Sequence, residues 1–200
     1  MLNNFKEYDN NKYSINNLLQ NKDDYKLLAK TAYKKHQNNI ENAIEHTNYK
    51  YDPELSSHTE KVFYKPNKEV VIAHTGTNFR SKNMFNDLKA AGDVLFGLEK
   101  QNKRFKNSQN HLNKVKNKYG DDIKYVTTGH SLGGSISSQI SKSNPNIYNI
   151  GFNRFSGPLQ SYRKRPKNFI DISNRNDPLS YFSRSKGKNN IINNKGWHSI

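Results

Sequence analysis

Hydrophobic and polar positions show no period at the start of the chain. Residues 1 to about 20 are Asn-rich with scattered Tyr and Leu, and read as a loose arm ahead of one domain spanning 21–200. From Asp23 the pattern changes. Tyr25, Leu28, Ala29, Ala32, Tyr33, Ile40, Ala43 and Ile44 recur largely at helical spacing. Asp23 and Asp24 suit a helix start. The segment to about Thr47 therefore predicts one long helix with a break near Gln37. Two β-rich runs follow, Lys61–Tyr64 and Glu69–Ala73, on either side of the turn at Pro66-Asn67, and together predict a hairpin. The second run is almost wholly apolar, as a strand buried on both faces requires.

Residues 79–98 mix Phe79, Met84, Phe85, Leu88, Val94, Leu95, Phe96 and Leu98 with polar residues and two glycines. Glu99–Lys118 predicts a polar helix with a thin apolar stripe of Phe105, Leu112 and Val115. Ile123–Thr128 reads as a strand. It runs straight into Gly129-His130-Ser131-Leu132-Gly133-Gly134 and a small-residue helix to about Ser143. Ile147–Phe152 and Asn168–Ser173 are two further strands. Strand, turn, helix, strand in that order defines an α/β protein, a mostly parallel sheet with helices on its faces.

Composition refines this picture in three ways. Two hundred residues make one domain, long enough for a real core but small for this class. Mean hydropathy of -1.07 leans toward disorder, yet 12% aromatic residues and clustered apolar runs argue for a folded domain with a very polar surface. The 33 Lys and Arg against 17 acids give a formal +16, a charge that attracts phosphate groups. No dense arginine patch or nucleic-acid module accompanies it. An anionic membrane surface is thus the expected peripheral contact, and nucleic acid is not an expected partner. The absence of cysteine excludes disulfides, Cys-based zinc sites and thiol nucleophiles; no metal or cofactor is expected. No apolar leader or membrane-length run is present. The expected location is cytoplasmic or inside a virus particle, and the pattern leaves the oligomeric state open.

The G-x-S-x-G string at 129–133 carries the chemistry. It sits between a β-branched strand and a run of small residues, the strand-to-helix turn that such a string needs, and so resembles the nucleophile elbow of α/β hydrolases. Such a turn holds Ser131 in a strained conformation with its oxygen above the sheet edge. Gly129 and Gly133 leave room for strand and helix to approach. The Leu132 N–H, at the helix N-terminus, is placed to donate to an oxyanion.

A serine hydroxyl needs a base, and the base needs an orienting carboxylate. In α/β hydrolases the chain order is Ser, then acid, then His. Downstream of Ser131 the acids are Asp171 and Asp177, and the histidine is His198. Asp171 lies inside a strand and reads as a surface or hydrogen-bonded residue. Asp177 follows the strand's carboxyl end, where α/β folds assemble sites, and is the candidate acid. His198 is the candidate base, with Trp197 and Ile200 to anchor it. His130 is the variable residue of the elbow and is expected to point away from the reaction. His36, His46, His58 and His111 read as surface residues. The loop His74-Thr75-Gly76-Thr77 is the natural source of a second oxyanion donor, Thr77.

With these residues assembled, the chain resembles the class 3, fungal-type lipases over roughly residues 60–200. The resemblance implies a strand leading to Arg-Gly-Ser/Thr; here Val70–Thr77 corresponds, with Thr75 in place of the usual arginine and His74 in place of an aromatic. It implies Gly-His-Ser-Leu-Gly-Gly, present at 129–134, an Asn-x-x-Asp-Pro loop, present at 174–178, and a late histidine, met by His198. It also implies a small α/β-hydrolase-like fold, and a lid between Thr77 and about Leu98. The activity implied is that of a carboxylic ester hydrolase, lipase or phospholipase, working through Ser131, Asp177 and His198. Its substrate would be a lipid or other ester. The alternative is a catalytically inactive hydrolase-fold module that binds anionic lipid or nucleic acid through its basic surface. A third reading keeps the enzyme and changes the bond to a peptide or thioester.

Overall fold

Seven strands hydrogen-bond side by side in the order in which the chain visits them. This arrangement is seen in a computed structural model, which describes residues 15–76, 103–156, 167–177 and 190–193. The strands are β1 (Lys50–Asp52), β2 (Glu60–Lys65), β3 (Glu69–His74), β4 (Lys124–His130), β5 (Tyr148–Phe152), β6 (Phe169–Asn174) and β7 (Asn190–Asn193). The helices are α1 (Ile15–Gln20), α2 (Lys22–Thr31), α3 (Gln37–Ile44), α4 (Lys103–Tyr119) and α5 (Leu132–Ser143).

β1, β2 and β3 pair antiparallel, and β3 through β7 pair parallel. The hairpin turn closes at Lys65↔Glu69. Asn67 takes the left-handed conformation there, with φ 53°, which its short amide side chain tolerates better than most.

The sequential order explains where the helices lie. Parallel crossovers are right-handed, so two crossovers moving the same way along the sheet place their helices on the same face. α4 and α5 pack there together, burying Phe105, Leu112, Val115 and Ile140 against Val62, Val70, Ile72 and Tyr125. The helices that precede the sheet cover the other face. Leu18, Tyr25, Leu28, Ala29, Ile40 and Ile44 meet Phe63, Val71, Ala73, Val126, Ile150 and Ile172. β3 serves both layers because successive side chains point to opposite faces, hence its apolar run. Leu28 is fully buried, and truncating such a residue to alanine costs about 2–5 kcal/mol.

The expected long helix is two helices. Its apolar stripe lapses at Lys34-Lys35-His36, and the chain turns there through bonds from the Tyr33 N–H to the Lys30 carbonyl (3.3 Å) and from the Lys34 N–H to the Thr31 carbonyl (2.9 Å). Within the segment read as an arm, Ile15–Gln20 is helical, and Leu18 is buried against its neighbours. Residues 1–14 lie outside the described residues, as do 77–102, 157–166, 178–189 and 194–200. The lid that the resemblance implies, Thr77 to about Leu98, falls among these.

α2 is tied to the sheet by a polar cluster. Glu69 accepts hydrogen bonds from Tyr25 (2.9 Å) and Tyr49, and pairs with Lys124 at 2.7 Å. Burial first, then the Glu69 charge, pushes both tyrosines far above their ordinary pKa. They remain neutral donors, and the carboxylate keeps its partners. α4 stops at Gly120, whose φ of 81° lets its N–H return to the Lys116 carbonyl at 2.8 Å.

Candidate active site

The carboxyl ends of β3, β4, β5 and β6 converge on one rim, and the site is built there. β4 ends at His130 and α5 begins at Leu132. The single residue between them, Ser131, has φ 56° and ψ -126°. Side chains avoid that region, at a cost of about 1–3 kcal/mol. Three backbone bonds hold it. The Ser131 N–H donates to the Phe152 carbonyl at 3.1 Å, and its own carbonyl accepts from the N–H groups of Ser135 (3.2 Å) and Phe155 (3.1 Å). Ser131 is half-buried, at the surface of the rim.

Close packing explains the flanking glycines. A Cβ on Gly129 would lie 2.5 Å from the Gly133 carbonyl carbon, and one on Gly133 would lie 2.2 Å from the His74 carbonyl oxygen. The first turn of α5 therefore rests directly on the ends of β3 and β4. Leu132 opens that turn, whose N–H groups have no acceptor within the helix.

The chain leaving β3 passes beside the serine. A Cβ on Gly76 would lie 3.3 Å from the Ser131 Cβ. The Gly76 N–H donates to the Tyr33 hydroxyl at 2.8 Å, and that hydroxyl meets His130 Nδ1 at 3.2 Å. Thr75 donates its N–H (2.9 Å) and its hydroxyl (3.2 Å) to the Thr59 carbonyl. Arg104 donates to the Thr75 carbonyl and, at 3.0 Å, to the Thr75 hydroxyl. His130 turns toward Tyr33, edge-on at 6.2 Å between ring centres.

The two downstream acids separate cleanly. Asp171 is fully buried and takes a forked ion pair from Arg154, with Nε at 3.1 Å and Nη2 at 3.0 Å. Asp177 follows β6 by three residues in a tight turn, its N–H bonded to the Asn174 carbonyl at 3.2 Å, and it too is fully buried. Ser131 and Asp177 thus stand at the same rim, one beyond β4 and the other beyond β6. His198 and Thr77 lie outside the described residues.

Two features differ from or add to what the sequence predicts. His111, expected at the surface, is largely covered and pairs with Glu60 at 2.5 Å; Glu60 also faces His74 at 3.3 Å. Burial alone would raise the Glu60 carboxyl, but hydrogen bonds and charge from the two imidazoles outweigh it and hold the carboxyl well below its usual range. Burial alone would lower His111, and the Glu60 carboxylate overrides it and raises the imidazole. The second feature is a cleft on the α2 side of the rim, lined by Lys22, Lys26, Phe152, Asn153, Ile172 and Asn174 among others. It adjoins the elbow, since Phe152 carries the carbonyl that receives the Ser131 N–H. Among the described residues no three His, Asp or Glu side chains converge as a metal site. No described helix is long and apolar enough to cross a membrane.

A mostly parallel sheet with helices on both faces and a left-handed serine between strand and helix is a small, single-domain α/β-hydrolase-like fold. A family model for lipase (class 3) matches residues 6–182, and the chain belongs to that family of lipase-type ester hydrolases. One solved structure agrees on the fold. Lipase II from Rhizopus niveus is similar at 15% identity, with a TM-score of 0.52 over 84% of this chain and 78% of that one. A mutant form of MDLA from Penicillium cyclopium is similar at 16% identity, with a TM-score of 0.49 over 84% of this chain and 74% of that one. No curated protein sequence matches the chain.

Proposed function

We propose that the protein cleaves carboxylic esters of lipids through an acyl-enzyme on Ser131. The observation that carries this reading is the Ser131 backbone, held at φ 56° between β4 and α5 by three hydrogen bonds. A strained residue kept in place by its surroundings is a mark of function rather than of packing.

In this mechanism the Ser131 hydroxyl attacks the ester carbonyl while His198 accepts its proton. Asp177 holds the imidazole and balances the charge it gains. The Leu132 N–H and Thr77 stabilise the oxyanion. The alcohol leaves with the proton from His198. Water then attacks the acyl-enzyme, with His198 as base, and the fatty acid is released. Asp177 fits the acid role better than Asp171, whose two oxygens are already committed to Arg154.

The +16 surface and the two lysines at the cleft favour an anionic phospholipid interface over neutral fat. Labelling with a fluorophosphonate tests the chemistry: the reagent should modify the peptide that contains Ser131 and no other. A folded protein that takes no label with or without lipid would point instead to a binding module. The substrate class is tested by vesicles. Faster hydrolysis on anionic than on zwitterionic vesicles is expected, and equal rates on the two would refute the preference.

A further inference from the structure

The cleft on the α2 side of the rim is small, about 70 Å³. At about 10–15 Å³ for each water, that is room for a headgroup and not for an acyl chain. We propose that this cleft is a subsite for the phosphodiester of a phospholipid substrate, with Lys22 and Lys26 as its cations. This rests on the ester-hydrolase reading given above.

The cleft carries a net positive charge, because Lys22 and Lys26 line it against Asp23 alone. The two lysines lie four residues apart in α2 and so share one face of the helix, where like charges repel. No described acid relieves that repulsion. Asp24 is taken by Lys65 at 3.5 Å, and none of the described ion pairs includes Lys22 or Lys26. An anion between the two ammonium groups removes it, and an ammonium binds phosphate as a point charge. Facing the lysines, Phe152, Ile172 and Ile191 bring apolar surface, and Asn153 and Asn174 bring carboxamides. Such a lining suits an anion carried on an organic backbone better than an inorganic ion, whose oxygens all need donors or water.

The cleft wall and the nucleophile share a stretch of backbone. Phe152 accepts the Ser131 N–H at 3.1 Å, and Phe155 donates to the Ser131 carbonyl at 3.1 Å, so Asn153 stands between two residues that both hold the serine. Asn153 is buried and has φ 44°. Its N–H donates to the Ile172 carbonyl at 2.8 Å, and its side-chain oxygen accepts from the Asn174 N–H at 2.8 Å. These bonds fasten the end of β5 to the end of β6 and make the wall rigid before a ligand arrives. The Asn174 carbonyl in turn accepts from the Asp177 N–H at 3.2 Å. The cleft therefore adjoins the segments that carry both Ser131 and Asp177. In a glycerophospholipid a few bonds separate an ester carbonyl from the phosphorus, and the cleft begins at Phe152, to which Ser131 is bonded.

The test uses the full chain and two esters kept monomeric in solution, a short-chain p-nitrophenyl ester without phosphate and a short-chain phosphatidylglycerol. Monomers remove the attraction of an anionic surface. Lys22→Met/Lys26→Met keeps the apolar stems and removes both charges. Lys30→Met, at an exposed lysine of the same helix outside the cleft, is the control. Thermal melts accompany each. Exposed charge pairs are individually weak, so the double variant should raise KM for the phospholipid about 3- to 10-fold with kcat within about twofold, the pattern of lost ground-state binding. Its KM on the p-nitrophenyl ester, and both KM values of Lys30→Met, should stay within about twofold of wild type. Equal KM shifts on the two esters, or none on the phospholipid, would overturn the proposal while leaving the hydrolase reading intact. So would a wild type that turns over the p-nitrophenyl ester and not the phospholipid. Inorganic phosphate is titrated as an inhibitor alongside. Inhibition that the double variant loses, with its phospholipid KM unmoved, would make this a free-phosphate site and overturn the substrate role. Should the double variant not fold, the two single variants decide by the same criteria. A folded wild type with no turnover of either ester would overturn both readings.

Discussion

Replacing Gly133 with alanine puts a Cβ 2.2 Å from the His74 carbonyl oxygen, 2.7 Å from the Thr75 carbonyl carbon and 2.8 Å from the His74 carbonyl carbon. All three are backbone atoms, so no side-chain rotation relieves the contact. Either the end of β3 moves away or the first turn of α5 lifts. The first choice displaces Thr75 and Gly76, and the second displaces the Leu132 N–H. In the proposed mechanism either displacement disturbs the oxyanion donors around Ser131. Overpacking of this kind costs about 1–3 kcal/mol of stability, which a folded domain of this size survives. The loss of one aligned oxyanion donor costs more where it matters, about 10²–10³-fold in kcat. Gly120→Ala is the control. Nothing lies within 4 Å of its added Cβ, and its φ of 81° makes the change a matter of backbone strain alone. It should cost about 1–2 kcal/mol of stability and leave kcat unchanged. The assay is kcat on a soluble ester, with urea unfolding for both variants. A folded Gly133→Ala enzyme within about threefold of the wild-type kcat, where one lost donor costs 10²–10³-fold, would refute the reasoning. So would equal rate losses in the two variants.

Three further outcomes follow from the buried charges. Asp171→Ala strands Arg154 in the interior and should cost about 3–5 kcal/mol in urea unfolding. Asp177→Asn should instead fold and lose on the order of 10⁴ in kcat; equal kcat in Asp177→Asn and wild type would remove it from the mechanism. The Glu60–His111 pair should make stability depend on pH. The Glu60 share is present above its ordinary pKa of 4.5 and lost as pH falls through its lowered folded value. The His111 share is full below 6.5 and lost as pH rises through its raised folded value. The stability gap between wild type and His111→Gln should therefore be widest between those two pH values and shrink above them. A gap that does not shrink as pH rises above 6.5 would contradict the pairing.

What the sequence announces and what it hides divide along physical lines. The hairpin, the doubly buried β3 and the elbow are legible because period, β-branching and glycine are local signals. β1 and β7 are not. Lys50-Tyr51-Asp52 and Asn190-Ile191-Ile192-Asn193 are too short to show a period, and pairing with β2 and β6 supplies what local preference does not. α1 is masked by asparagine, and its one fully buried side chain, Leu18, is buried only as part of the apolar cluster formed with the helices and sheet that follow. His111 was legible in principle: Ser108, His111, Leu112 and Val115 share one helical face, and that face is the buried one. The position of Glu60 opposite it comes only from the sheet. Arg104 and Tyr33 carry no local signal at all, since one lies on α4 and the other in the turn after α2, and both meet one peptide. At the candidate site, the turn that holds Ser131 and the place of Asp177 after a strand could be read from the sequence. The preference for Asp177 over Asp171 gains its physical reason only when Arg154 is seen to occupy the latter.

The central claim is that Ser131 is a nucleophile. Its most direct test is hydrolysis of a short-chain p-nitrophenyl ester by the purified protein and by Ser131→Ala, both checked for folding by circular dichroism. The account predicts steady turnover by the wild type and none above buffer by the variant. Equal turnover by the two, or a folded wild type with no turnover on soluble or vesicle-borne esters, would contradict it.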